Sequence, residues 1–252
     1  MKIVGIAGKK QSGKNTVANI LNGIVLKKHE MVNDYKISED GRLLVSTDEF
    51  ADLREFDITR KDFQFVEYAE RSLYPYVKLY SFADALKAIC IDLFNIPFEN
   101  VYGTNEQKNK KISHLKWNNM PSRKNKDTRR AKIGSMTARE FMQYFGTDVM
   151  RKIWEPIWCQ STVNRIVAEQ SQLAIIADVR FPNEVDIIKD AGGIVIKLNR
   201  DLFEDEHASE TQLDAENYDQ ENFDYVIENQ GEGRTIERLQ AIIETLYKDN
   251  LC

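Results

Sequence analysis

Short apolar runs and amphipathic segments alternate along most of this chain. Residues 2–8 are apolar and rich in β-branched side chains, which is typical of a buried strand. Residues 13–28 follow directly and carry Val17, Leu21 and Ile24 at the spacing of one helical face. The chain is therefore predicted to begin with a strand, a short loop and a helix.

The same alternation recurs towards the C-terminus. The run LAIIAD at 173–178 is wholly apolar, as expected of a strand that is covered on both faces of a parallel sheet. Five short strands alternating with helices predict an α/β fold built on an open, mainly parallel five-stranded sheet. The other predicted strands lie at 77–82, 193–198 and 223–229, and the other predicted helices lie at 83–94, 137–150, 155–170, 182–192 and 233–248.

Two segments interrupt this alternation. Residues 29–76 are mixed in character, and the charged and aromatic residues within 48–72 predict a helix with irregular ends. Residues 107–132 contain ten basic residues, one acid and few aliphatic side chains, which predicts a long, partly ordered insertion. We therefore predict one domain over residues 1–252, with helical insertions at about 29–76 and 98–132.

Composition and charge limit the class of protein. With 252 residues, of which 42% are hydrophobic and 30% charged, the chain can form a core and a well-solvated surface. Its net charge of −5 argues against bulk binding to nucleic acid. The three cysteines are far apart, no secretory signal is recognisable, and no run approaches the roughly 20 apolar residues of a membrane span. These features predict a soluble cytoplasmic protein with free thiols.

The loop between the first strand and the first helix carries the most specific signal. It reads GKKQSGKNT, so that Gly8 and Gly13 frame four residues and Lys14 follows directly. Glycines let successive backbone N–H groups point inward, the helix N-terminus adds partial positive charge, and Lys14 can reach the β- and γ-phosphates of a nucleotide. The spacing predicts a phosphate-binding loop for ATP, made by Gly8, Ser12, Gly13, Lys14, Asn15 and Thr16.

The magnesium ligand is less certain from the motif than the phosphate-binding residues are. The usual pattern has serine or threonine directly after the lysine, whereas this chain has Asn15 there and Thr16 next. Mg²⁺ ligation is therefore left to Thr16, Asn15 or a bridging water, and Thr16 is the residue that we select. The order Gly-Lys-x-Thr is the form found in nucleoside monophosphate kinases of the adenylate kinase type.

Other classes of nucleotide-binding protein fit less well. A GTPase needs Asn-Lys-x-Asp to read guanine, but the run NKKI at 109–112 lacks the aspartate and lies in the basic segment. A motor or helicase ATPase is normally larger and has a strand ending in Asp-Glu, whereas this strand ends ADVR at 177–180. A small-molecule kinase fits the size, because it mainly holds two anionic substrates in line and neutralises the charge between them.

Seven stretches of the chain together resemble the deoxynucleoside monophosphate kinases of tailed bacteriophages and their prophage relatives. They occur in the family's order and cover most of the chain outside about 29–75. The resemblance implies a three-layer P-loop kinase fold, phosphoryl transfer from ATP with Mg²⁺ to a deoxynucleoside monophosphate, and a homodimer in the host cytoplasm. The stretches are GKKQSGKNT, YSFADALK, VYGTNEQKN with LKWNNMP, TAREFMQYFGTDVMR, ADVRFPNEVDIIKDAGG, HASETQLD and FDYVIEN.

The resemblance also implies roles for particular residues. Catalytic roles are expected for Lys14, Arg139, Asp178 and Arg180. The pattern R-x-x-x-Q-x-x-G-T-D places Arg139 and Gln143 on one helix face, where a guanidinium can grip a phosphate and an amide can read a base edge. The expected substrate-binding residues are Lys10, Lys87, Arg139, Gln143, Gly146, Thr147, Trp158, Asp178, Arg180 and Glu184.

Some of these residues keep an alternative structural explanation. Trp158 can be a wall of the acceptor pocket or an ordinary core tryptophan. Asp178 can hold Mg²⁺ through water or cap the turn before Pro182. The run HASE at 207–210 lies in an acidic segment and receives no role. The three histidines lack metal-ligand spacing, so no structural zinc is expected.

Two other functions stay open. The same fold can serve another phosphorylated acceptor such as dephospho-coenzyme A, although the R-x-x-x-Q-x-x-G-T-D match argues against it. Alternatively, the basic segment 107–132, with Trp117 as a stacking platform, can form a nucleotide-regulated nucleic-acid-binding surface. The overall acidity disfavours this second alternative, which predicts tight and salt-sensitive oligonucleotide binding.

Overall fold

The computed structural model describes residues 1–9, 11–120, 133–200, 211–229 and 235–251, with Phe50 described by its backbone only. Several residues singled out in the sequence lie outside the described part. They are Lys10 of the phosphate loop, the second half of the basic segment at 121–132, and His207, Ser209 and Glu210.

The helices and strands follow one another in the alternation that the sequence predicts. The first half contains β1 (Lys2–Gly8), α1 (Lys14–Lys28), β2 (Asp34–Ile37), β3 (Leu43–Thr47), β4 (Phe50–Glu55), α2 (Phe63–Ser72), β5 (Val77–Tyr80), α3 (Asp84–Asp92), α4 (Phe98–Tyr102), α5 (Asn105–Lys108) and β6 (Lys111–Lys116). The second half contains β7 (Ser135–Thr137), α6 (Ala138–Gln143), α7 (Arg151–Ile153), α8 (Ile157–Glu169), β8 (Leu173–Val179), α9 (Pro182–Asp190), β9 (Ile194–Asn199), β10 (Tyr225–Glu228) and α10 (Ile236–Asn250).

The chain forms two compact units. The first comprises Met1–Ser81 and Thr162–Cys252, and the second comprises Phe82–Ser161. The second unit begins before the basic insertion predicted at about 98–132 and extends beyond it. The prediction of a single domain with two insertions is kept as a proposal.

The first unit contains a five-stranded sheet in the order β10-β9-β1-β8-β5, and every pair in it is parallel. Val4 of β1 lies opposite Ile175 of β8 and Ile194 of β9, so β1 is the central strand. The carboxyl ends of these parallel strands share one edge, where open α/β sheets bind ligands. The predicted α/β fold class with its five-stranded parallel sheet is confirmed.

The main core lies between this sheet and the helices on one of its faces. α1 buries Val17, Ile20 and Leu21, and α10 adds Leu239 and Ile243 to the same apolar cluster. Fully burying a side chain of this size stabilises the fold by about 1.5–3 kcal/mol. This packing fixes the start of α1 against the carboxyl edge of β1. In the described ranges, no helix has the length and apolar character needed to cross a membrane.

The region 29–76 differs from the prediction. The structure has a three-stranded antiparallel sheet, β2-β3-β4. Its third strand, β4, lies where a helix with irregular ends was expected from residue 48 onward. A helix is present only from Phe63 to Ser72, and it starts where the Asp62 carboxylate accepts the N–H of Phe65. Residues 51–55 form a strand because they pair with the largely buried strand β3, and this pairing outweighs their local preference.

The second unit has its own small core. Met136, Ala138 and Phe141 are buried beside Phe94, whose ring lies 4.6 Å from that of Phe141. The predicted capping box at Thr137 is confirmed, because Thr137 Oγ1 accepts the N–H of Glu140 and the Glu140 carboxylate accepts the N–H of Thr137. The predicted helix at 137–150 is α-helical only to Gln143 and continues as a π-helix over Tyr144–Met150.

The basic segment is also more ordered than predicted in the part that is described. Lys111–Lys116 forms β6 and pairs in an antiparallel manner with β7. Ile112, Leu115 and Trp117 are buried in the core of the second unit. Ile112 and Leu115 hold this strand among charged neighbours, and their spacing of three residues coincides with an irregularity in the register between β6 and β7.

A partly buried ion pair in the first unit joins the end of α8 to β5. Glu169 Oε2 is 2.6 Å from Lys78 Nζ and accepts the Tyr80 hydroxyl at 2.8 Å, and Glu169 Oε1 is 2.7 Å from Arg165 Nε. Burial raises the pKa of Glu169, but the hydrogen bonds from Lys78, Arg165 and Tyr80 outweigh burial and leave that pKa below its ordinary value.

We expect Glu169→Gln to reduce the free energy of unfolding by about 1–3 kcal/mol at neutral pH, because Lys78, only 11% exposed, loses its anionic partner. Since the folded pKa is lowered, this stabilisation is present above the ordinary carboxyl pKa and is lost as the pH falls through the folded value. Urea unfolding at several pH values measures it, and the difference between wild type and variant should shrink in acid.

Glu67→Gln is the matched control for this variant. Its partner Arg71 is 77% exposed, so loss of that pair should change the free energy of unfolding by no more than about 0.5 kcal/mol. Equal losses for the two variants, or a Glu169 effect that grows in acid, would contradict the assignment.

Candidate active site

The loop between β1 and α1 has the backbone shape of a phosphate cradle. Gly8 has φ +146° and Gly13 has φ +105°, conformations that residues with side chains rarely adopt. A Cβ on Gly8 would lie 2.8 Å from the carbonyl oxygen of Leu198, so the loop also passes close to β9. The two framing glycines of the motif are thus required by the backbone, as the sequence predicts.

Lys14 folds back over this loop. Its Nζ donates to the carbonyl oxygens of Gly8 and Lys9, each at 2.5 Å. The ammonium group therefore lies at the mouth of the cradle, where an anion can attract it from these carbonyls. This position agrees with the predicted role of Lys14 in holding phosphates.

Ser12 marks the interior of the cradle. The residue is fully buried, and its Oγ has no hydrogen-bond partner within the part of the chain that the structure describes. An unsatisfied buried hydroxyl costs about 1–3 kcal/mol, and a phosphate oxygen would remove that cost. The residues of the loop therefore fit a nucleotide phosphate.

Two residues that the motif does not include brace the loop from the carboxyl edge of the sheet. Asn229, just after β10, is 6% exposed and donates from Nδ2 to the carbonyl oxygen of Ser12 at 2.7 Å. Arg200, just after β9, donates to the carbonyl oxygen of Gln11 at 2.9 Å. Their position at strand ends was a usable signal, since all strands of a parallel sheet end at the same edge.

A cavity of about 530 Å³ adjoins the loop within the first unit. The start of α1 forms one wall with Lys14, Asn15 and Thr16, and the start of α10 forms another with Ile236 and Leu239. The turn between β2 and β3 contributes Glu39, Asp40 and Gly41. The volume and the mixture of cationic, polar and apolar lining suit a nucleotide.

The two candidate magnesium ligands differ in setting. Asn15 is exposed, whereas Thr16 is partly buried and its hydroxyl lies directly against Gly41. Both residues line the cavity. Thr16 therefore lies beside the site, and its role as a ligand of Mg²⁺ stays a prediction.

Asp178 lies where β8 ends and also lines the cavity. Its Oδ2 accepts the hydroxyl of Ser81 at 2.6 Å, so the carboxylate is held in one orientation from the end of the neighbouring strand β5. Sequence reasoning missed Ser81, because the strand was predicted to continue to residue 82, whereas β5 ends at Tyr80. The arrangement provides a fixed anionic group next to the phosphate loop.

Arg180 and Glu184 belong to the turn that follows. Arg180 lines the cavity, and its backbone N–H donates to Glu184 Oε2 at 2.8 Å. The same oxygen accepts the N–H of Phe181 at 3.2 Å, and Glu184 is only 2% exposed. Glu184 therefore caps α9 and shapes the turn that carries Arg180, while its predicted substrate contact stays a prediction.

A second cavity, of about 440 Å³, lies on the other side of the loop in the same unit. Arg180 and Arg200 line both cavities. Lys9 lines this second cavity and pairs with Asp214 at 3.2 Å. Cationic side chains from the phosphate loop itself and from the loops after β8 and β9 thus line this cavity, a distribution that favours polyanionic ligands.

The second unit brings three cations together. Burial lowers the pKa of Lys108, and the nearby positive charges of Lys87 and Arg139 lower it further. Arg139 Nη2 donates to Asn105 Oδ1 at 2.7 Å, while the buried Arg139 Nε has no partner among the described residues. Like charges gathered in this way are stabilised by an anion, so this cluster is a candidate phosphate site.

α5 holds Lys108 and Asn105, the partner of Arg139, in place. It starts with a capping box between Thr104 and Gln107, which fixes Asn105 and Lys108 at its two ends. The carbonyl oxygen of Gln107 accepts from Asn100 Nδ2 at 2.6 Å, and Asn100 is buried. Lys108 lies in the basic segment 107–132 but was not among the residues predicted for the site.

The remaining predicted residues lie on the π-helix and beside it. Gln143 and Thr147 are exposed, as binding residues must be before a ligand arrives. Gly146 is buried against Leu86, and its carbonyl oxygen accepts Trp158 Nε1 at 3.0 Å. Trp158, 5% exposed, therefore anchors the π-helix, and its predicted contact with an acceptor stays a prediction.

Comparisons with known proteins point to one kind of relative. A family model described as "Deoxynucleotide monophosphate kinase" matches residues 2–243. A protein of Acanthamoeba polyphaga mimivirus, named "Putative deoxynucleotide monophosphate kinase", is 31% identical over 150 residues. The aligned part covers 53% of this chain and 67% of the viral protein.

Proposed function

Because the chain belongs to the deoxynucleotide monophosphate kinase family, we propose that it transfers the γ-phosphoryl group of MgATP to a deoxynucleoside monophosphate. An oxygen of the acceptor phosphate forms a bond to the γ-phosphorus of ATP, and the bond from that phosphorus to the β–γ bridging oxygen breaks. ADP leaves, and the acceptor becomes a deoxynucleoside diphosphate.

The observation that carries the donor half of this proposal is the phosphate loop. It offers inward-facing backbone groups, the buried Ser12 hydroxyl and the Lys14 ammonium beside a cavity that takes a nucleotide. Lys14 is proposed to move from the loop carbonyls to the β- and γ-phosphates when ATP binds. Arg180, from the edge of the same cavity, would neutralise charge that develops during transfer.

The acceptor half rests on the cationic cluster of the second unit. The positive charges of Lys87 and Arg139 both act on Lys108, and an anion bound beside them would offset this repulsion. The unpaired Nε of Arg139 and the donor at Nη2 give a guanidinium fork that matches two oxygens of a phosphate. We assign the phosphate of the acceptor to this cluster, with Gln143 and Thr147 on the side of the nucleoside.

A magnesium ion held at this site would reduce the negative charge of the nucleotide phosphates. Asp178 is the carboxylate that fits this task, because it lines the nucleotide cavity and its second oxygen is fixed by Ser81. Thr16 stays the alternative ligand. Asp178 is not needed as a base, since the attacking phosphate oxygen is already ionised.

The biological setting follows from the same resemblance. The sequence stretches shared with phage kinases favour a role in supplying deoxynucleotides for phage DNA synthesis in the cytoplasm of a host. They also favour a homodimer. The net charge of −5 argues against a stable complex with nucleic acid, and the proposed partners are therefore small-molecule substrates.

A coupled assay for ADP release tests the proposed function. Purified protein is given MgATP and one acceptor at a time: each deoxynucleoside monophosphate, each ribose counterpart, or dephospho-coenzyme A. We expect ADP to appear with one or more deoxynucleotides. The value of kcat/KM for each corresponding ribonucleotide should be at least about tenfold lower. Activity with dephospho-coenzyme A alone, or with no nucleotide acceptor, would overturn the proposal.

A further inference from the structure

The turn between β2 and β3 forms part of the nucleotide cavity although the family motifs do not include it. Asn19 of α1 donates from Nδ2 to the carbonyl oxygen of Gly41 at 2.8 Å. The N–H of Gly41 donates to the carbonyl oxygen of Ser38 at 2.8 Å and closes the turn. Gly41 lies so close to the Thr16 hydroxyl that a Cβ there would collide with it. The turn is thus fixed on the first two turns of α1.

Two neighbouring carboxylates of this turn differ in their contacts. The Asp40 carboxylate accepts the Ser38 hydroxyl and pairs with Arg42 Nε at 2.7 Å, so it serves the turn itself. Glu39 lines the cavity, and within the described ranges its carboxylate has neither a hydrogen bond nor an ion pair. Glu39 is therefore a negative acceptor that a ligand in the cavity can use.

The position of Glu39 restricts which part of a nucleotide it can contact. The phosphates belong to the loop and to the N-terminus of α1, and a carboxylate would repel them. The apolar Ile236 and Leu239 offer a surface for the flat base. The sugar lies between base and phosphates, and its hydroxyls are donors, whereas an ionised carboxylate only accepts.

We propose that Glu39 accepts hydrogen bonds from the ribose hydroxyls of the donor nucleotide, and so makes this protein prefer ATP over 2′-deoxy-ATP. The inference rests on the proposed function, because it assumes that the donor occupies this cavity. An enzyme whose acceptors are deoxynucleotides gains from such a contact, since the contact keeps deoxynucleotides out of the donor cavity. Glu39 is thereby a specificity-determining residue contributed by the 29–76 region.

Calorimetric binding tests the proposal without relying on turnover. Dissociation constants for ATP, 2′-deoxy-ATP, GTP and tripolyphosphate are measured on the wild type, Glu39→Gln and Glu49→Gln. Glu49 is the matched control, because it is an exposed glutamate in the turn between β3 and β4 and does not line the cavity. Thermal unfolding of each variant verifies that the fold is kept.

We expect the wild type to bind ATP about tenfold more tightly than 2′-deoxy-ATP, as for loss of one hydrogen bond to a charged group. Glu39→Gln should weaken ATP binding about tenfold and bring this ratio close to one. Its affinity for tripolyphosphate should stay the same or rise, because a negative charge is removed. Glu49→Gln should behave like the wild type.

Three results would overturn the inference: equal affinity of the wild type for ATP and 2′-deoxy-ATP, an unchanged ratio in Glu39→Gln, or a change confined to the ratio of ATP to GTP. The last result would assign Glu39 to the base. The acceptor assay is run in parallel on the wild type. If the wild type transfers phosphate to deoxynucleotides but the ratio of ATP to 2′-deoxy-ATP affinity is unchanged in Glu39→Gln, only the role of Glu39 is refuted. If that ratio falls to one in Glu39→Gln but the wild type shows no transfer, only the kinase proposal is refuted.

Discussion

Replacing Lys14 by alanine is expected to lower kcat/KM for phosphoryl transfer by at least about 10³-fold, while the protein stays folded. The ammonium donates to two carbonyl oxygens of the loop at 2.5 Å, and a phosphate can compete with these carbonyls for it. Removing a group that stabilises charge in a transition state commonly costs about 10²–10³-fold in rate. Weaker binding of ATP adds to this loss. The coupled assay measures transfer, and calorimetry measures binding of ATP.

Stability should change little in this variant, because Lys14 is only partly buried and water can replace it at the carbonyls. Lys27→Ala is the control from the same helix. Lys27 pairs with Asp34 where both side chains are more than half exposed, so its loss should leave turnover unchanged. A folded Lys14→Ala protein with normal kcat/KM would refute the assignment of the phosphate loop.

The donor site was predictable from sequence to the extent that it is local. Strand, glycine-framed loop and helix follow one another within residues 2–28, so the spacing of Gly8, Gly13 and Lys14 already encodes the cradle that the structure contains. The parallel sheet was predictable for a similar reason. Its strands are buried on both faces and therefore read as short, continuous apolar runs. Strands with one solvated face would instead alternate apolar and polar residues.

The residues that complete the site were not predictable in this way. Asn229 reaches the loop across 217 positions of sequence, and Ser81 reaches Asp178 across 97. Polar residues after a strand are common, and only the order of strands in the sheet decides which of them meet. That order, β10-β9-β1-β8-β5, cannot be read from the periodicity of any single strand.

The wrong helix at residues 50–55 has a related cause. The segment FADLRE contains charged residues, and its described side chains, at 51–55, are exposed, so nothing in its own pattern indicates a strand. Its pairing with the largely buried strand β3 supplies the hydrogen bonds that decide its conformation. The turn with Glu39 joins the other two strands of this antiparallel sheet, in a part of 29–76 that the sequence analysis left as mixed in character, so this candidate contact was not found from the sequence.

Arg139→Ala is the second substitution with a large expected effect, and it separates the acceptor from the donor. We expect the KM for the deoxynucleoside monophosphate to rise about 100-fold, because the variant loses a guanidinium group that can donate two hydrogen bonds to a phosphate. The buried Nε of this group has no hydrogen-bond partner among the described residues. The dissociation constant for ATP should stay within about twofold, since no residue of the nucleotide cavity is altered. Steady-state kinetics with varied acceptor, together with calorimetry for ATP, measures both quantities.

Two further variants decide whether charge or the guanidinium fork matters. Arg139→Lys keeps the charge but loses bidentate geometry, so we expect a rise in KM of about tenfold, between wild type and alanine. Arg71→Ala removes an arginine that is 77% exposed in a surface pair and should leave both constants unchanged.

The positive charges around Lys108 also lead to an expectation for the stability of Arg139→Ala. Because one of three like charges is gone, the unliganded protein should be no less stable than the wild type, so that weaker acceptor binding cannot be attributed to unfolding. A KM that rises equally for ATP and the acceptor would instead show that Arg139 does not belong to a separate acceptor site.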